Sequence, residues 1–90
     1  NSYSMDTNCK AYILEATDKV TGMLHGYYSK GDTFPQTTAC IWFAKFYLAN
    51  GKGVKNALDN LTKRMSYDTR TGHDLSWKVL EVSMNAPKDI

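Results

Sequence analysis

The side chains able to do chemistry are few and scattered. The chain of 90 residues carries two histidines and two cysteines. His25 sits beside Leu24 in an apolar-periodic stretch, where a hydrogen-bonded structural role outweighs a catalytic one. His73 precedes Asp74 in a polar segment, and a carboxylate there could orient an imidazole, yet the sequence puts no nucleophile beside the pair. Paired carboxylates at catalytic spacing, a phosphate-cradling glycine loop and a nucleophile–base arrangement are all missing, since Gly51-Lys52-Gly53 lacks the remainder of any phosphate motif. We therefore predict no catalytic residues, no enzyme activity and no cofactor.

Cys9 and Cys40 admit three readings: a disulfide, two buried thiols, or half of a metal site. Their spacing matches no zinc pattern, and His25 and His73 do not complete a ligand set, so no metal is predicted. A Cys9–Cys40 disulfide is the expectation, with free thiols as the alternative. In so short a chain a single core leaves a thin stability margin that a covalent tie would widen. The chain starts with Asn and shows no hydrophobic leader, which suits a processed periplasmic or secreted protein and equally a trimmed one.

The charge, +2 from 11 basic and 9 acidic residues, is interspersed and forms no basic stripe, which argues against a nucleic-acid partner. With 42% hydrophobic and 12% aromatic residues the chain is too apolar for disorder. Apolar runs are too short for a membrane span.

The elements that would hold these residues read as all-α: one small domain over 1–90 of three to four helices around a central apolar helix, with a polar arm at 1–7 and a tail at 85–90. Cys9, Ile13, Ala16, Val20, Met23 and Tyr27 recur at spacings of four and three and predict a helix over about 8–28, either unbroken or bent at Thr17-Asp18. Thr33 and Gln36 form a capping box with Pro35 in the first turn, and Asn50-Gly51 supplies a stop, so 33–51 is the predicted central helix. Only Lys45 is polar between Ala39 and Ala49, which predicts burial from several sides. Val54, Leu58, Leu61 and Met65 mark an amphipathic helix over about 53–65. Residues 66–74, SYDTRTGHD, are a predicted surface loop. Leu75, Trp77 and Val79 alternate as in a strand but also fit helical spacing; we predict a helix over about 74–84, with a strand as the alternative. Neither an internal repeat nor a low-complexity segment is evident. The Asn60-Leu61-Thr62 glycosylation pattern falls inside a predicted helix and is discounted. Trp42 and Phe43 are expected to fill the core, whereas Tyr27 and Tyr28, near a helix end, are candidate interface residues.

Cys9-Lys10-Ala11-Tyr12-Ile13, preceded by a polar arm, resembles the opening of the HdeA/HdeB family of small periplasmic acid-stress chaperones. The stretch from Met23 to Thr33 and that from Tyr47 to Leu58 are similar to later parts of the same family. The family's second cysteine falls where this chain has Leu48, about two turns after Cys40. The resemblance implies an all-helical, disulfide-tied periplasmic protein, dimeric near neutral pH, that loosens in acid and binds unfolding clients. Protonating nine carboxylates and both histidines would take the side-chain charge from +2 to +13, from 11 lysines and arginines plus two imidazoliums, a self-repulsion able to open a marginal domain. The chain also looks loosely like the immunity proteins paired with type VI secretion amidase effectors. That second resemblance implies an inhibitor whose working surface is the 66–74 loop, with Tyr67, Arg70 and His73 contacting a cell-wall hydrolase.

Overall fold

The computed structural model describes residues 8–85; the expected arm at 1–7 and residues 86–90 of the expected tail lie outside them. Among the described residues the architecture is a five-stranded antiparallel sheet with one α-helix, which corrects the all-α expectation. The strands are β1 (Asn8–Asp18), β2 (Leu24–Lys30), β3 (Gln36–Thr38), β4 (Tyr67–Asp68) and β5 (His73–Asn85), and the helix is α1 (Lys52–Arg64). Their order across the sheet is β3-β2-β1-β5-β4.

The expected first helix is instead the hairpin β1–β2. β1 is the middle strand, with β2 on one side and β5 on the other. Ala11, Ile13, Leu14 and Ala16 are all buried, so both of its faces are apolar and the alternation that marks a half-exposed strand is lost. Such a strand mimics a helical stripe. Val20 and Met23, which completed the apparent helical period, stand 70% and 69% exposed in the turn.

The expected C-terminal helix is β5, paired with β1 in continuous register from Asn8↔Asn85 to Asp18↔Leu75. Leu75, Trp77 and Val79 lie directly across from Asp18, Ala16 and Leu14. Here the two-residue alternation was the true signal, and the partner it needed was the far end of the chain.

The predicted central helix does not form. Residues 33–51 contain β3, a single 3-10 turn (Ile41–Phe43) and an isolated bridge between Tyr47 and Tyr12. Thr37, Thr38, Ile41, Trp42, Phe43, Phe46 and Tyr47 are β-branched or aromatic and favour extended backbone, and no interhelical core is present to override them. Tyr12 and Tyr47 exchange backbone hydrogen bonds of 2.7 and 2.8 Å, and Lys45 N–H donates to Tyr28 O at 2.8 Å. The segment thus occupies the β1 edge that β2 leaves open, which removes an unpaired ladder.

The amphipathic helix does form, as α1. Gly51, expected to end a helix, is its N-cap. Val54 and Leu61 are fully buried against Leu14, Ala16, Tyr28 and Trp77, with Ala57, Leu58 and Met65 packed around them. Trp77 Nε1 donates to Met65 O at 2.6 Å, satisfying a carbonyl at the helix end that would otherwise lack a partner. Lys63 and Arg64 in the last turn complement the helix dipole.

The disulfide expectation is corrected as well. Cys40 is a free, half-buried thiol at the N-cap of the 3-10 turn, while Cys9 lies on β1 opposite Met84.

With α1 docked through so few side chains, Leu61→Ala is expected to cost about 2–5 kcal/mol. A urea titration followed by Trp fluorescence measures it; a loss well under 1 kcal/mol would mean that α1 does not pack as described.

Candidate functional site

The two histidines that looked isolated in sequence meet two buried carboxylates at one end of the sheet. They are placed by a pair of turns of the same design. Asp18-Lys19-Val20-Thr21-Gly22 joins β1 to β2, and Asp68-Thr69-Arg70-Thr71-Gly72 joins β4 to β5. Both follow the pattern Asp-x-x-Thr-Gly, a short repeat that the sequence reading did not detect.

The chemistry of the pattern explains the geometry. Each Asp opens its turn and accepts from the backbone N–H two residues on: Val20 to Asp18 Oδ1 at 2.8 Å and Arg70 to Asp68 Oδ1 at 2.9 Å. Such side-chain mimicry of a turn is what Asp does best. Each Asp carbonyl then accepts the glycine N–H, from Gly22 and from Gly72, at 2.8 Å in both cases. Both glycines have positive φ, 75° and 74°, a conformation that a Cβ penalises. Each Thr hydroxyl accepts the N–H that follows the glycine, from Met23 at 3.2 Å and from His73 at 3.3 Å.

Each turn is also clasped by a histidine from the other hairpin. His73 Nδ1 lies 2.8 Å from Asp18 Oδ2, and His25 Nδ1 lies 3.3 Å from Asp68 Oδ2. An ionised carboxylate only accepts, so Nδ1 carries the proton in the His73–Asp18 hydrogen bond, while in His25 it is Nδ1 that faces the Asp68 carboxylate. His73 is delivered as the first residue of β5. His25 is delivered by a bulge: Ala16 pairs with Gly26 and Thr17 with Leu24, leaving His25 without a partner on β1. A bulge re-aims a side chain in this way. His25, Asp18 and Asp68 are at most about one-tenth exposed as side chains, whereas His73 is 33% exposed.

Both carboxyl groups are held below their ordinary range. For Asp18, burial alone pushes the value up, but hydrogen bonds from His73 and from the Thr21 and Val20 backbone, with the nearby His73 ring, outweigh it. For Asp68, the Arg70 backbone N–H is the main cause, opposed by burial and aided by the Arg70 guanidinium and His25. Arg70 Nε sits 3.4 Å from Asp68 Oδ1, and its side chain is 76% exposed.

Two cavities flank the clasps. One of about 220 Å³ is bounded by both turns and all four clasp residues. The other, about 620 Å³, lies on the far side of Asp68, between the β2–β3 connection and the end of α1. Both Thr hydroxyls of the turns are occupied by backbone donors, and the Asp–His pairs hold imidazoles in fixed orientation without a nucleophile within the hydrogen bonds described. Among the described residues no group of three or more His, Cys, Asp or Glu side chains is arranged to hold a metal ion.

Of the residues selected from sequence as partner-binding, the structure brings Tyr67, Arg70 and His73 together at this end of the sheet. Tyr67 is 51% exposed. Tyr27 is half-buried on β2. Tyr28 is 7% exposed, a core residue whose hydroxyl donates to Gly31 O at 2.9 Å. Asp18 and Asp68 were missed, and the signal that could have found the two carboxylates is the repeated Asp-x-x-Thr-Gly; His25 was read from the sequence only as a structural histidine. No helix among the described residues is long and apolar enough to cross a membrane. No family model, curated protein or solved structure matches the chain.

A carboxyl held low in the folded state contributes stability that is full above its unfolded value of about 3.9 and fades as pH falls through the folded one. Asp18→Asn and Asp68→Asn should therefore lower the urea midpoint at pH 7, and the gap from the parent should close toward about pH 2.5. A gap equal at both pH values would contradict the clasp. Gly22→Ala and Gly72→Ala should each cost about 1–2 kcal/mol from the left-handed backbone alone, read from the same titration.

Proposed function

We propose that this chain is a non-enzymatic protein-binding domain that captures exposed apolar segments of other proteins, in the manner of a client-binding chaperone, through the connection between β3 and α1. One observation carries the reading. Trp42, Phe43 and Leu48, expected to lie in the core, stand 72%, 74% and 86% exposed. Large rings left in water on so small a domain are characteristic of contact surfaces, where aromatic anchors dominate binding. Their backbone is held by the Tyr12–Tyr47 bridge and the Lys45–Tyr28 hydrogen bond, so a partner would meet side chains on an ordered strap and lose less entropy on binding.

Acid would favour the same activity. Loss of the Asp18 and Asp68 contributions and the charge rise to +13 both loosen the sheet end, which would add apolar surface to that already present. The inhibitor reading is favoured by a different feature, the rigid Asp68–Gly72 turn that presents Arg70 to solvent. A fixed, protruding cationic turn suits insertion into a partner's acidic cleft.

The test is suppression of aggregation of a thermally unfolding model client, at pH 7 and near pH 3, by the parent chain and by Trp42→Ser/Phe43→Ser/Leu48→Ser. A stoichiometric amount of the parent should suppress aggregation and the triple variant should lose most of that effect. Equal behaviour of the two chains, or none from either, would end the proposal. A stable complex with one folded hydrolase that Arg70→Ala abolishes would replace it with the inhibitor reading.

A further inference from the structure

We infer that the larger cavity is a binding site for a small amphipathic anion, an aromatic carboxylate being the class that fits. At about 620 Å³ it has the size of a small-molecule cleft. Its lining includes the apolar surfaces of Phe34, Met65 and Tyr67 together with two cations, Arg64 and Arg70. Phe34 lines the cavity and is 82% exposed, which leaves its ring surface accessible to a ligand.

The charge balance selects the sign. Asp68 is the one carboxylate in the lining, and its charge is already engaged. Oδ1 accepts from Arg70 N–H and Nε, and Oδ2 faces His25 Nδ1 at 3.3 Å. Arg64 uses Nε on Asn60 Oδ1 at 2.9 Å, and Arg70 uses Nε on Asp68. Among the described residues the terminal guanidinium nitrogens of both arginines make no hydrogen bond or ion pair. A guanidinium fork with both terminal nitrogens available is suited to bidentate recognition of a carboxylate. The negative end of α1 does not cancel this field, since Trp77 takes up the Met65 carbonyl and Lys63 and Arg64 lie in the last turn.

The carboxylate of the ligand would lie between Arg64 and Arg70, with its ring against Phe34 and Tyr67. Hydrogen bonds to charged groups are worth about 1.5–3 kcal/mol, which sets an effect of about tenfold or more on affinity. This site is independent of the protein-binding strap, because Trp42, Phe43 and Leu48 do not line it.

Binding of 2-naphthoate to the full chain, followed by its fluorescence and by calorimetry at pH 7, tests the inference, with 2-naphthalenemethanol as the uncharged counterpart. The acid should bind at least about tenfold tighter than the alcohol, and Arg64→Gln/Arg70→Gln should remove that difference. Phe34→Ser should weaken acid and alcohol alike, whereas Trp42→Ser/Phe43→Ser should change neither. Circular dichroism confirms that each variant is folded. Equal affinity for acid and alcohol, a double arginine variant that binds as the parent does, or no binding of 2-naphthoate at about 5 mM would each overturn it.

Discussion

The β1–β5 ladder is the constraint on which everything else depends. It pairs residues 8–18 with 75–85 in unbroken register, bringing the two ends of the described chain side by side. Every other element takes its place from it. β2 attaches to the second edge of β1, β4 folds back on β5, and α1 packs on the face made by Leu14, Ala16 and Trp77. Because the paired segments are far apart in sequence, nearly the whole chain must be gathered before the ladder is rewarded, which makes it the entropically demanding step of folding.

The same register sets the chemistry. Asp18 faces Leu75 at the last pair of the ladder, so the β1–β2 turn and the β4–β5 turn emerge together at one end of the sheet. Two copies of one turn design in that position put an Asp from each within reach of a His from the other hairpin. The buried carboxylates would be costly if left unpaired. With backbone N–H groups and imidazoles facing them, they become a reciprocal clasp that fastens the two turns to each other at the end of the β1–β5 ladder, where β4 is only a two-residue strand.

The fold was legible in the sequence only where one face of an element meets water. α1 is such an element, and the spacing of Val54, Leu58, Leu61 and Met65 at four, three and four residues marks both its type and its buried face. β1 is covered on both sides, so its apolar residues filled a helical template that ran on through Val20 and Met23 in the turn. The stretch at 33–51 is misleading in a different way: a capping box and a run of apolar residues suggest a buried helix, whereas its aromatic and β-branched content favours extended chain. In β5 the alternation of Leu75, Trp77 and Val79 was visible, but a strand needs a partner, and that partner is at the other end of the chain. The clasp was hidden for the same reason, since Asp18 and His73 are 55 positions apart. Tyr67, Arg70 and His73 could be selected from their polar, turn-forming surroundings, but their carboxylate partners could be seen only by aligning the two Asp-x-x-Thr-Gly segments with each other.

The reciprocal clasp is the central claim, and nuclear magnetic resonance of the imidazole rings and Asp carboxyls tests it most directly. At pH 7 both His25 and His73 should carry a proton on Nδ1, protected from exchange, and the carboxyl carbons of Asp18 and Asp68 should titrate with midpoints below those of the exposed aspartates. Rings with the proton on Nε2 alone, together with two carboxyls that titrate in the ordinary range, would contradict the account.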